Sequence, residues 1–286
     1  MRASFSSHLR ALACLAALFL CACSNKAKEA AALAQSGMDK YNKGDLKGAL
    51  ADLNSAIATA PAPSAEYFND RSMVKIALAD FDGAITDATQ AGQLNPNLGS
   101  AFGNRALAEQ DKGNFPAASA DFTKAIQLQP TFAAYYGFRA ELRQNQNDFP
   151  GAVEDYDKFI GLQPDSTPFV RLYRHVLLRR LKRDPGDLAV TSAAWKDAWP
   201  KAIAAFLTGQ ISEADLLAAA AQGPNDTADD RQCQANYFIG ELHLINGDPA
   251  GARTFIAVSS ALEGTNCDEY GFARTELARL AAPPGK

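Results

Sequence analysis

The chain repeats itself, and that fact narrows its possible folds more than any other. Ala49, Ala84, Ala118 and Ala152 recur at nearly constant spacing. Pro61, Pro96, Pro130 and Pro164 keep the same steps, and so do Asp52, Asp87, Asp121 and Asp155. Three ladders in one register make each unit a supersecondary element that buries its apolar face only by stacking on its neighbours. Two antiparallel helices fit every unit. Leu33, Phe68, Phe102 and Tyr136 put a large apolar residue early in the first helix. Gly37, Ser72, Ala106 and Ala140 keep it small four residues on, where the second helix with its alanine must approach. Gly44-Asp45, Ala79-Asp80, Gly113-Asn114 and Asn147-Asp148 mark the turns. Gly or Asn takes the left-handed conformation that ends one helix, and Asp or Asn caps the next. Each ladder proline then stops the second helix.

A period of 34 with this pattern resembles the tetratricopeptide (TPR) family. The resemblance implies an all-α, right-handed superhelical solenoid of helix-turn-helix repeats. Four repeats span 30–164. Degenerate helical repeats follow over 165–232, with Ser166 or Thr167 capping a helix from Pro168, a break at Asp184-Pro185-Gly186, and Ser212 capping a helix to about Ala221. A clear repeat returns over 233–280 through Tyr237, Gly240, Gly247-Asp248 and Ala252, and Glu269 to Leu280 reads as a solvent-facing closing helix. Residues 281–286 are expected to be a disordered tail.

Residues 1–22 read as a signal peptide: Arg2 and Arg10 precede the apolar run Ala11 to Ala22, which is too short to span a bilayer. Leu20-Cys21-Ala22-Cys23 resembles a bacterial lipobox, which implies cleavage after Ala22 and lipidation (palmitate included) of Cys23, with 23–29 as a tether. Ser24 after the cysteine implies the outer membrane, with the body facing the periplasm. Losing Arg2 and Arg10 with the signal takes the net charge from −4 to −6. That acidity disfavours nucleic acid as a partner. Cys233 and Cys267 are the remaining cysteines. They stand one repeat length apart at the starts of successive repeats, and a disulfide between them is expected in an oxidising compartment.

Beyond the repeats, Pro168-Phe169 with Leu172, Phe206-Leu207-Thr208-Gly209-Gln210-Ile211-Ser212, Asn236-Tyr237-Phe238-Ile239-Gly240 and Glu269-Tyr270 through Glu276-Leu277 resemble the NlpI family of bacterial TPR lipoproteins. That resemblance implies a homodimeric outer-membrane adaptor that presents cell-wall hydrolases to a C-terminal-processing protease. The Cys233/Cys267 pair and the short tail depart from the family.

Catalytic chemistry finds little support. No phosphate loop, Gly-x-Ser-x-Gly or His-Glu-x-x-His occurs, and the aspartates sit at repeat-equivalent positions. The expectation is a non-enzyme with no cofactor and no metal. Arg71, Arg105 and Arg139 form a further ladder, and the simplest pairing joins each ladder aspartate to the arginine of the following repeat: Asp52 to Arg71, Asp87 to Arg105, Asp121 to Arg139, Asp155 to Arg171 or Arg174. Arg171, His175, Arg179 and Lys182 share one face of the helix from Pro168, opposite an apolar stripe of Phe169, Leu172, Tyr173, Val176, Leu177 and Leu181; that face is either solvated or a basic patch for an acidic partner or anionic lipid. The concave side of the array is expected to carry the binding residues Met38, Tyr41, Asn69, Met73, Ile76, Gly103, Leu107, Gln110, Gly137, Glu141 and Gln144. The function expected is a lipid-anchored adaptor or scaffold for proteins of the periplasm and envelope. A structural assembly factor or pilotin of an outer-membrane machine is the alternative.

Overall fold

The computed structural model describes residues 24–165, 168–222, 228–262 and 267–282. The signal, Cys23, Ser166, Thr167 and residues 283–286 lie outside these. Among the described residues there are fifteen helices and no strand. They fall into two compact units, one ending at Thr131 and one beginning at Phe132.

The first unit holds three helical hairpins: α1 (24–42) with α2 (Leu46–Thr59), α3 (Ala65–Ala77) with α4 (Phe81–Leu94), and α5 (Gly99–Asp111) with α6 (Phe115–Leu128). Each turn places one residue at positive φ: Gly44 at 81°, Ala79 at 58° and Gly113 at 79°. In the first two hairpins the acidic residue that follows caps the second helix: Asp45 Oδ1 accepts from the Gly48 amide at 2.9 Å and Asp80 from Gly83 at 3.0 Å. The small-residue ladder has a steric cause. A methyl group on Gly37 would stand 2.9 Å from Leu53 Cγ and 3.2 Å from the Ala49 carbonyl, so a larger residue would force α1 and α2 apart.

The second unit begins with a fourth hairpin, α7 (Ala133–Asn145) and α8 (Phe149–Leu162). It continues through α9 (Pro168–Arg180), α10 (Leu188–Ala193), α11 (Ala198–Leu207) and α12 (Glu213–Ala221), then a hairpin of α13 (Ala228–Ile245) and α14 (Pro249–Ser259), and ends in α15 (Asp268–Ala281). Ser212 caps α12 as expected, in a reciprocal box with Asp215. One core runs through the unit, built on Tyr156, Leu172, Tyr173, Ile203, Phe238 and Phe272. Tyr173 stacks on Phe238 at 6.0 Å and meets Phe272 edge-on at 5.4 Å.

Two sequence expectations need correction. The closing helix is not solvent-facing: Glu269 and Ala273 are fully buried, Phe272 and Glu276 nearly so. Helix α15 packs on α13 and α14 and also reaches back to α7. Buried polar groups hold it there. Tyr173 donates to Glu269 Oε1 at 2.6 Å, and Arg180 bridges Glu241 at 3.2 Å and Glu276 at 3.1 Å.

The charge ladders also pair differently. Arg71 binds Asp87, Arg105 binds Asp121 and Arg139 binds Asp155, each through two nitrogens at 2.6–2.8 Å. The partner is the aspartate of the second helix in the same hairpin. A hairpin folds its two helices antiparallel, so the inward arginine of the first meets the inward aspartate of the second before any neighbouring repeat reaches it. Asp52, in the repeat with Ser36 at the arginine position, takes the Ser36 hydroxyl at 2.6 Å and Lys40 at 2.7 Å instead. Lys40 and Ser36 hold its carboxyl below the usual range. Asp155 receives a second guanidinium, Arg143, at 2.8 Å. Arg171 and Arg174 turn elsewhere.

Candidate functional site

On the first-helix wall of the first unit, Met73 and Ile76 of α3 and Leu107 and Gln110 of α5 are half-buried, and α5 packs beside α3. Gln110 Oε1 is buried and has no hydrogen-bond partner. Met38 and Tyr41 pack onto the small cluster of Ala34, Leu53 and Val74, and remain half-buried. Asn69 is less available than its position suggested. Its carbonyl and its side-chain oxygen accept from Asn104 at 3.2 and 3.1 Å, a bond that ties successive repeats together. Gly103 is buried.

In the second unit the expected groove residues divide. Glu141 is half-buried. Gly137 serves helix packing and leaves no room for a backbone to approach, because a methyl group there would meet Phe159 at 3.2 Å. Gln144 is buried: its amide donates to Tyr237 at 2.9 Å and its oxygen accepts from Tyr156 at 3.2 Å. The reason is α15 and α13, which fold over the end of α7. Periodicity within the repeat cannot reveal a later segment that returns.

Cys233 and Cys267 come together in a disulfide, with Cα atoms 6.6 Å apart. The bridge joins α13 to the residue that precedes α15.

On helix α9 burial covers the apolar stripe and extends past it to His175 on the expected basic face. Leu172, Tyr173, His175, Val176, Leu177 and Leu178 are all buried, because α8, α11 and α13 pack against it from different sides. Of the expected basic face, Arg179 donates to the Leu207 carbonyl at 3.0 Å, Arg171 donates to the Pro164 carbonyl at 2.6 Å, and Lys182 lies exposed past the helix end. His175 is 6% exposed, with Nδ1 unpartnered. It borders a cavity of about 320 Å³ between α8, α9 and α10 that Arg171, Arg174, Asp157 and Asp187 also line. The sequence places Arg171 and His175 in one helix row; nothing in it singles out Asp157 or Asp187.

Burial, and then the charges of Arg179 and Arg174, push His175 down to about 4. Its folded value lies below the unfolded one near 6.5, so the unfolded chain takes the proton first as pH falls. Stability is therefore complete above about pH 6.5, falls between pH 6.5 and 4, and loses up to about 3 kcal/mol there. Urea unfolding at a series of pH values should show that limb in the wild type and not in His175→Gln.

Among the described residues no cluster of His, Cys, Asp or Glu could hold a metal, and no helix is long and apolar enough to cross a membrane. No protein-family profile matches the chain, and no curated sequence does. Solved structures do. A crystal structure of a tetratricopeptide repeat protein from Parabacteroides merdae is 16% identical, over 87% of this chain and 98% of that one, with a TM-score of 0.57. Pseudomonas aeruginosa pilF is 16% identical, over 88% of this chain and 99% of its own, with a TM-score of 0.54. The fold shared with these proteins is the all-α tetratricopeptide-repeat solenoid.

Proposed function

We propose that this chain is a non-catalytic adaptor, lipid-anchored through Cys23 to the periplasmic side of the bacterial outer membrane. In this reading its first unit binds an extended or helical segment of another envelope protein. The observation that carries it is the half-buried apolar set Met73, Ile76 and Leu107 on the adjacent helices α3 and α5. An apolar surface with adaptable methionine suits the side chains of a docking segment. Stacked helical repeats work through such extended surfaces. The resemblance to the NlpI family puts cell-wall hydrolases and a processing protease first among the partners to test, along with a second copy of this chain.

The test is site-specific photo-crosslinking in cells from Met73 and from an exposed position on α2, with and without Leu107→Asp. Capture from Met73 that falls at least tenfold with Leu107→Asp, while circular dichroism stays unchanged, supports the reading; that drop is what burying one unpaired charge in an apolar contact costs, about 1.4 kcal/mol or more. Equal capture from both probes would move the site off this wall. Fractionation of Cys23→Ala into the soluble pool tests the anchor separately.

A further inference from the structure

We propose that the cavity between α8, α9 and α10 binds a small zwitterion, an α-amino acid with an aliphatic side chain, its carboxylate toward Arg171, Arg174 and His175 and its ammonium group toward Asp187. The walls order themselves by depth. His175 is almost wholly buried and marks the floor, whereas Asp157 and Asp187 are exposed and mark the rim. Arg171 and Arg174 stand half-buried between them.

The donors match a carboxylate. Arg171 uses one nitrogen on the Pro164 carbonyl and Arg174 uses Nε on Asp157. A guanidinium carries five N–H donors, so both keep capacity. His175 adds a buried nitrogen with no partner, which native interiors rarely leave unmatched. The acceptors match an ammonium group. Asp187 Oδ1 accepts from the Val190 amide as the cap of α10, and its second oxygen stays at the rim.

Charge balance excludes the simpler ligand. Two aspartates line the cavity with two arginines, and the imidazole is neutral at pH 7. The lining therefore has no surplus positive charge for a dianion such as phosphate, while a ligand bearing one charge of each sign finds a counterpart for both. Size agrees as well: about 320 Å³ is at the small end of ligand pockets. Ile160 and buried Leu188 supply the apolar wall for a side chain.

The experiment is calorimetric titration of the full chain with leucine, N-acetylleucine and leucinamide. Leucine should bind, and each blocked derivative should bind at least about tenfold more weakly, as expected when one charge-assisted hydrogen bond is lost. Asp187→Asn retains the α10 cap, since asparagine caps as well as aspartate, and should abolish the preference for leucine over N-acetylleucine. Arg171→Gln should weaken leucine and N-acetylleucine alike, and saturating leucine should move the His175 ring resonances in the wild type. Equal binding of leucine and N-acetylleucine would make this a plain anion site and overturn the proposal. So would equal binding of leucinamide, or no binding of leucine at millimolar concentration by folded wild type. None of these outcomes touches the adaptor reading, which rests on the first unit.

Discussion

Asp155→Ala should destabilise the protein by about 3–5 kcal/mol, the cost of breaking a buried ion pair from one side. Asp155 is 2% exposed and binds two guanidiniums, Arg139 through both oxygens and Arg143 at 2.8 Å. Removing the carboxylate leaves two positive charges one turn apart on α7 without the counter-ion that they share on α8. Asp155→Asn keeps the shape and one acceptor and should lose less. Asp52 occupies the same rung of the ladder but holds a partly exposed lysine and a hydroxyl, so Asp52→Ala should cost far less than Asp155→Ala. Urea denaturation of the three variants, with two-state analysis of the midpoints, checks the order. Equal losses at Asp155 and Asp52 would mean that burial does not govern the ladder.

Cys233→Ser should cost about 4 kcal/mol through the loss of a bridge across a sequence separation of 34. The Cα separation of 6.6 Å lies inside the span a disulfide bridges without backbone movement. The effect concentrates on α15, because the bridge holds the start of the helix whose Glu269 and Glu276 reach into the core. Cys267→Ser and the double variant should show the same loss as the single one, and reductant should lower the melting temperature of the wild type alone. Thiol trapping gives the direct reading: labelling of both cysteines in native protein without reductant would refute the bridge.

Local rules were legible in the residues. The alanine, proline and aspartate ladders follow from what a single hairpin needs: close helix approach at Gly37, a left-handed turn at Gly44, a cap at Asp45, a stop before Pro61. Each depends on neighbours within one repeat length, so each prints a period. The cap at Ser212 and the break at Asp184-Pro185-Gly186 are equally short-range. The cysteine pair was legible too, by its spacing, though the close approach of the two Cα atoms depends on how α13 and α15 lean.

The arginines show where periodicity stops. A repeating Arg and a repeating Asp are compatible with pairing inside a hairpin or across to the next, and only the antiparallel packing of the two helices selects the former. His175 and Gln144 needed still longer range. On its own helix His175 shares a row with arginines, and three packed helices bury it. Gln144 keeps its groove position in the repeat, and α13 and α15, far later in the chain, supply the tyrosine and arginine that cover it. Burial is a property of what returns to a surface, and a helix that closes back onto α7 leaves no mark in α7's own pattern.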